Sequence, residues 1–448
     1  MLSSIHKTNL NKLYTIYPNL VELEDHLILH ETKNGNYILP RYFLKNYPKA
    51  KELVSFWEDK EFKPSDIDIE FTGKLRNEQI PITNLITEQY ELENKTIHGI
   101  LKAKPGFGKT VCATYLTSYF KKKTLIILNN SKLVEQWVDA YLKFTNITKD
   151  DIGYIIGKEF SPKKITITMV QTMVGKVKRD IGENYLKFRE AGFDLVFFDE
   201  THKTSAGPKF AQASLLLNTK NIIGLSATPY GDELHKFFMK NIIGDVLYEF
   251  TEYDETPDVW FINYKSGLGK KYFWTIAKIN DYVKRIGFYN NIIAQSDIYV
   301  DVIYKLTRKL LKSNRKTIII VSTIRQLERV IEYLKDHDIN ARPLHGKEQF
   351  IDKDKDNVIV ATYKLASHGF DYAELSCLIL ATPLKGKVSL IQTIGRVLRK
   401  YEGKQKPLVF DLIDHDFGNI FTQSIPSKKA IINKEFKVKE FQSLDYNM

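Results

Sequence analysis

Ala103-Lys104-Pro105-Gly106-Phe107-Gly108-Lys109-Thr110 lies between an apolar run at 97–101 and a segment at 109–120 that has no Gly or Pro. The run has the pattern of a buried strand. The segment after it carries apolar residues at helical spacing. Strand, glycine-rich turn and helix together make a phosphate cradle: the glycines let backbone N–H groups close around oxygens, and the helix N-terminus adds partial positive charge. Lys104, Pro105, Gly106, Phe107 and Gly108 would line it, Lys109 can reach the outer phosphates, and the Thr110 hydroxyl can sit on Mg²⁺. Ala103 stands where the motif's first glycine belongs. An ordinary glycine-containing turn is the alternative, and the residues downstream weigh against it.

Beyond that helix, 124–128, 165–169, 193–198 and 221–225 read as strands separated by helical stretches, which implies a parallel sheet. Ser131 is expected to cap a helix whose apolar stripe is Leu133, Trp137, Ala140 and Tyr141. Each strand ends in a polar group: Asn129-Asn130-Ser131-Lys132, Val170-Gln171-Thr172, Asp199-Glu200-Thr201-His202, and Ser226-Ala227-Thr228. Ligands of such sheets bind at the carboxyl ends of strands. Asp199 there can hold Mg²⁺ through water, and Glu200 can polarise an attacking water. A surface turn with two acids is the alternative reading.

Thr256-Pro257-Asp258 and 265–269 read as connector, and 270–311 as helical, with Trp274, Ile276, Ile279, Tyr282 and Val283 on apolar positions. A second alternating set comes next, with strands at 317–321, 358–361, 378–381 and 408–412 and helices at 326–335 and 389–399. In Gln392-Thr393-Ile394-Gly395-Arg396-Val397-Leu398-Arg399, a helix would put Gln392, Gly395, Arg396 and Arg399 on one face. Two guanidinium groups there suit the spread charge of a transferring phosphoryl group, unless this is only a solvated basic helix end. From Gly418 onward no element is legible. Leu75-Arg76-Asn77-Glu78-Gln79 precedes the first core strand, and Gln79 offers both a donor and an acceptor to an adenine edge.

Residues 1–68 read as a small unit with a hairpin at Asn34-Gly35 and a helix over 42–57. Tyr14, Tyr17, Arg41, Tyr42, Lys45 and Lys49 could touch nucleic acid or be ordinary core and surface residues. The chain has 448 residues, enough for two to four domains. A net charge of +12 favours a polyanionic partner, or simply marks a soluble basic protein. Cys112 and Cys377 suit core positions in a reducing compartment. No apolar run is long enough to span a membrane, and the first 20 residues lack a signal-peptide pattern, so a cytoplasmic protein (host cytoplasm if phage-encoded) is expected.

The order AKPGFGKT, DETH, SAT, QTIGRVLR resembles superfamily 2 helicases and translocases with a DExH box, over roughly residues 70–415. Within that superfamily the chain looks most like phage UvsW-like branch-migration DNA helicases. The resemblance implies an α/β fold of two RecA-like parallel-sheet domains (a P-loop NTPase helicase core) at 69–255 and 256–448, flanking a cleft, behind a small N-terminal α+β domain at 1–68 that selects the substrate. It implies an ATP- and Mg²⁺-dependent enzyme that moves on forked, junction or single-stranded DNA, as a monomer. RNA unwinding and duplex translocation without strand separation are the alternatives. By residue, it implies nucleotide contact by Gln79, 104–110, Gly369 and Asp371, and metal contact by Thr110 and Asp199. Catalysis falls to Glu200, Gln392, Arg396 and Arg399, coupling to His202, Ser226 and Thr228, and strand grip to Ser131, Thr172, Thr323 and Thr362.

Overall fold

The computed structural model describes residues 2–23, 30–32, 34–57, 62–201, 211–229, 233–250, 252–253, 255–345, 351–352, 355–363, 372–384, 386–421 and 424–446. The chain forms two compact units, Met1–Thr251 and Glu252–Met448.

The first unit contains two sheets. Strands β1 (Leu2–His6), β2 (His30–Glu31), β3 (Asn36–Leu39) and β4 (Val54–Trp57) make an antiparallel sheet in the order β2-β3-β1-β4. β2 and β3 form the hairpin expected at Asn34-Gly35. The helix expected over 42–57 is instead one short turn of helix, Phe43–Asn46, then 3₁₀ turns and β4. Pro48 explains the break: its ring fixes φ and disfavours a helical residue before it.

The second sheet is parallel and seven-stranded: β5 (His98–Ala103), β6 (Thr124–Leu128), β7 (Ile152–Ile155), β8 (Ile165–Met169), β9 (Leu195–Asp199), β10 (Ile222–Ser226) and β11 (Val246–Phe250), in the order β11-β5-β10-β9-β6-β8-β7. β6, β9 and β10 are buried along their whole length, as a parallel sheet covered on both faces requires. The two sheets do not have independent cores. Ile5, Leu13, Leu20, Leu39 and Phe43 belong to the same apolar cluster as Val196, Phe198, Phe237 and Ile242. Arg41 seals this junction: its buried guanidinium donates to the carbonyl of Thr219 at 2.7 Å and to that of Leu217. Tyr42 stacks on His98 with ring centroids 4.2 Å apart, and Tyr17 accepts the Lys49 N–H. Arg41 and Tyr42 are thus engaged in holding the unit together.

The second unit is built on another parallel seven-stranded sheet: β12 (Asp258–Tyr264), β13 (Thr317–Val321), β14 (Arg342–Leu344), β15 (Val358–Thr362), β16 (Cys377–Leu380), β17 (Leu408–Asp414) and β18 (Phe441–Asp445), in the order β14-β15-β13-β16-β17-β12-β18. Three sequence expectations change here. β12 fills 258–264, between the two stretches read as connector, where the sequence showed no strand. The helical stretch is broken into Gly269–Ala277, Tyr282–Ile292 and Asp297–Lys312, and Trp274, Tyr282 and Val283 of its expected apolar stripe are exposed. Beyond Gly418 lie the helix Ser424–Phe436 and β18. That tail is legible only in three dimensions, because its helix buries Lys428 as well as Ile432 and Phe436. The Lys428 ammonium lies 2.6 Å from Asp411 in β17.

Candidate nucleotide and nucleic-acid site

β5 ends at Ala103 and the helix Lys109–Phe120 begins six residues later. Gly106 (φ +79°) and Gly108 (φ +86°) turn the chain between them in the left-handed region that favours glycine. A Cβ on Gly108 would lie 2.5 Å from Gln79 Nε2 and 2.7 Å from Arg76 Nη2, so any larger residue must displace those side chains as well as adopt a strained φ. Phe107 is buried and packs on Phe250, which fixes the loop from below. Lys109 Nζ donates to the Ala103 carbonyl at 2.9 Å and the Lys104 carbonyl at 3.4 Å, folding back over the loop it would share with phosphate. The residues present fit a nucleotide phosphate: a glycine cradle, a helix N-terminus and a lysine at its mouth.

Gln79 lies against the phosphate loop itself. It is buried, 1% exposed, with its Nε2 donating to the Phe107 carbonyl at 2.8 Å and its Oε1 accepting from Arg76 N at 2.8 Å. Both halves of the amide are engaged with protein. Its evident work is to brace the loop, with Arg76 adding a bond to the Gly106 carbonyl at 3.1 Å.

Asp199 ends β9, and only β10 separates β9 from β5. Its Oδ2 accepts from the indole N–H of Trp137 at 2.8 Å and its Oδ1 from the Glu200 N–H at 2.9 Å. Burial, and secondarily the Glu200 carboxylate, push its carboxyl up to about 6, while Lys109 pulls the other way. Lys109 and Asp199 therefore sense each other's charge although 90 residues separate them in sequence, and a divalent cation beside Asp199 would remove the penalty of burying two acids. Glu200 has φ +49°, an uncommon backbone conformation for a non-glycine residue. Such a conformation holds only where the surroundings impose it, and such positions cluster at functional sites. Trp137 is the site residue that sequence reading missed. It looked like one member of an apolar stripe; the signal available was that a fully buried indole needs an acceptor.

The intervening β10 ends at Ser226. The Thr228 N–H donates to Ser226 Oγ at 3.2 Å, and strand order puts this segment between the phosphate loop and the acid pair. β6 and β8 continue the same carboxyl edge. There Gln171 donates to the Asn129 carbonyl at 3.2 Å, and the Thr172 hydroxyl accepts the Gly157 N–H. Ser131 is exposed but makes no side-chain cap; the Asn130 carboxamide accepts the Lys132 N–H instead. β8 is four strands from β5, about 19 Å at ~4.8 Å per strand.

In the second unit, the helix Lys387–Val397 follows β16 and holds Gln392 and Arg396, both buried. Arg399 lies two residues past that helix, in a bend, so the expected single helical face breaks there. Thr323 caps the helix Ile324–Asp336, its hydroxyl accepting the Gln326 N–H at 3.2 Å. That capping role was not expected for a grip residue. Thr362 closes β15, and Ser322 bonds Thr382 at 2.9 Å, tying the ends of β13 and β16. His202, Gly369 and Asp371 lie outside the described residues.

Two parallel sheets, one with a phosphate loop beside an acid pair, define a P-loop NTPase with paired RecA-like units. Residues 72–231 match the family model "Type III restriction enzyme, res subunit", and 300–401 match "Helicase conserved C-terminal domain". The chain is a superfamily 2 helicase, a nucleic-acid-dependent ATPase. It is 24% identical to a putative ATP-dependent RNA helicase of Acanthamoeba polyphaga mimivirus, over 91% of this chain and 77% of the relative. It is 26% identical to a putative helicase of a Sulfolobus islandicus filamentous virus (95% and 86%) and 26% identical to a probable helicase of Escherichia phage T5 (76% and 71%). Among solved structures, the fold is similar to a type ISP restriction-modification enzyme bound to DNA (TM-score 0.58, 14% identity, 84% of this chain and 31% of that one). It is also similar to yeast Dbp5 bound to RNA (TM-score 0.52, 15% identity, 82% and 92%). Among the described residues no helix is long and apolar enough to cross a membrane.

Proposed function

We propose that the chain is an ATP-driven DNA helicase that translocates on DNA and unwinds or branch-migrates forked or junction DNA in replication, recombination or repair. The observation that carries this reading is the layout of the first unit's carboxyl edge. The phosphate loop, the Ser226–Thr228 segment, the acid pair and the segments of Ser131 and Thr172 occur there in series after β5, β10, β9, β6 and β8, an order that supports coupling from nucleotide to strand. A change at the nucleotide end can reach the nucleic-acid end through one rigid sheet.

In this reading Lys104–Thr110 hold the ATP phosphates while Gln79 braces the loop. Thr110 and Asp199 would hold Mg²⁺, which supplies charge neutralisation at the phosphates when bound. Glu200 takes up or orients the proton of the attacking water. Gln392, Arg396 and Arg399 stabilise charge from the second unit, with Gly369 and Asp371 beside the nucleotide. His202, Ser226 and Thr228 relay the nucleotide's state. Ser131 and Thr172 in one unit, and Thr323 and Thr362 in the other, touch the sugar–phosphate backbone, so they carry little sequence information. Residues 1–68 choose the substrate, 69–255 bind ATP, and 256–448 complete the motor, which acts as a monomer.

The test is ATP hydrolysis with forked DNA, single-stranded DNA, duplex DNA or RNA, followed by fork unwinding. Forked DNA is expected to stimulate most and to be unwound. Stimulation by RNA alone would make it an RNA helicase. Turnover on duplex without strand separation would make it a translocase. Lys109→Ala should abolish hydrolysis in a folded protein, and normal turnover by that variant would refute the assignment of the loop.

A further inference from the structure

The helix Gly269–Ala277 lies outside every motif used above. It leaves the carboxyl end of β12, the edge of the second sheet that also bears Thr323 and Thr362. Its first turn is clamped there by Asp416, just past β17. Asp416 Oδ2 accepts from the Gly267 N–H at 2.7 Å and the Gly269 N–H at 3.4 Å. A Cβ on Gly269 would lie 2.9 Å from Asp416 Cβ, so the glycine permits the clamp. Tyr282, which opens the next helix, donates to the Ile420 carbonyl at 3.1 Å and secures the far side.

The inner face of this helix buries Ile276 and packs Leu268 and Tyr272 on the core. The outer face carries Lys270, Lys271, Trp274, Thr275 and Lys278, all exposed. Lys270, Trp274 and Lys278 recur every fourth residue, so they form one row with the indole between two ammonium groups, about 6 Å apart per turn. Trp274 is 73% exposed, far from what core packing requires. Residues 265–285 hold six basic residues against one acid, five charges of the chain's net +12. The acid, Asp281, has its carboxylate turned onto the Lys284 N–H at 2.7 Å as a helix cap.

A rigid, exposed indole flanked by cations is the chemistry of a stacking platform for single-stranded nucleic acid: the ring takes one base face, and the ammonium groups take phosphates on either side. We propose that the Lys270–Trp274–Lys278 face is a single-strand binding surface that extends the second unit's carboxyl edge beyond Thr323 and Thr362. This rests on the helicase reading above. Charge selects a polyanion over an apolar protein partner, and the exposed indole of Trp274 selects unpaired bases over duplex.

The experiment uses the full chain, labelled dT20 and fluorescence anisotropy across a salt series, with thermal melts to confirm folding. Trp274→Ala should weaken binding about tenfold, and Trp274→Phe should retain most of it. The double variant K270Q/K278Q should weaken binding and lower the log–log salt slope by about 1.4, at ~0.7 per single-strand phosphate contact. Wild-type binding and slope in both folded variants would overturn the proposal. So would unchanged affinity with an altered oligomeric mass in Trp274→Ala, which would make this a protein-contact face. Failure of the wild-type chain to bind any nucleic acid would instead bring down the helicase reading first.

Discussion

Replacing Trp137 by Phe removes the indole N–H that Asp199 accepts, together with part of a buried ring. The indole is fully buried and its partner Asp199 is 8% exposed, so water cannot replace the lost donor at Asp199 Oδ2. A buried hydrogen bond to a charged group contributes about 1.5–3 kcal/mol. Loss of that fixation falls on the orientation of the carboxylate proposed to meet Mg²⁺. At limiting Mg²⁺, nucleic-acid-stimulated ATP turnover should drop about 10- to 100-fold, since 1.4 kcal/mol is about a factor of ten. Much of it should return at high Mg²⁺. The smaller ring also leaves a gap costing ~1–2 kcal/mol, or a melting shift of about 2–8 °C for a unit of this size. Tyr141→Phe separates the two effects. Tyr141 is buried on the same helix and bonds Thr117 at 2.8 Å, not Asp199. If Trp137→Phe and Tyr141→Phe slow turnover equally, or if Trp137→Phe keeps the wild-type Mg²⁺ dependence, the positioning argument is wrong.

Glu200→Gln should bind ATP but hydrolyse it far more slowly, because the amide keeps the shape and loses the basic oxygen; nucleotide binding lost with turnover retained would contradict this. Lys428→Met should lower the second unit's stability by about 3–5 kcal/mol by stranding the buried Asp411 carboxylate, and D411N/K428M should recover much of it; equal melting of all three proteins would exclude the effect. Arg41→Met leaves the Thr219 and Leu217 carbonyls unpaired at the seam of the first unit, about 1–3 kcal/mol each, and should lower its melting temperature. The sequence suggests that a chain starting near Phe71 would keep basal ATPase within a few-fold. The shared core around Ile5, Leu39, Phe43 and Phe237 predicts that the truncation also lowers basal ATPase, and basal activity within a few-fold would show the two sheets to be separable.

The local chemistry of this protein was written in the order of its residues. Glycines at 106 and 108 need left-handed backbone, which a turn can be read to require, and the helix after them was legible to its last residue. Strands β5, β6, β8, β9, β10, β13, β15, β16 and β17 were legible because doubly covered strands are continuous apolar runs, whereas β7, β11, β12, β14 and β18, at or next to the sheet edges, were not. What residue order does not carry is adjacency. β10, late in the first unit, inserts between β5 and β9, and this brings Ser226 and Thr228 between the phosphate loop and Asp199. Strand pairing decides that, through packing far apart in sequence. The same holds for side chains with a second use. Trp137 and Thr323 have the composition of a core stripe and a grip residue, yet one bonds a carboxylate and the other caps a helix. Arg41, Lys428 and Trp274 invert the usual rule: two cations are buried and an indole is exposed. Burial is a property of what covers a residue, and only the tertiary structure supplies the carbonyls of 217 and 219, the Asp411 carboxylate, and the uncovered outer face of the helix that follows β12.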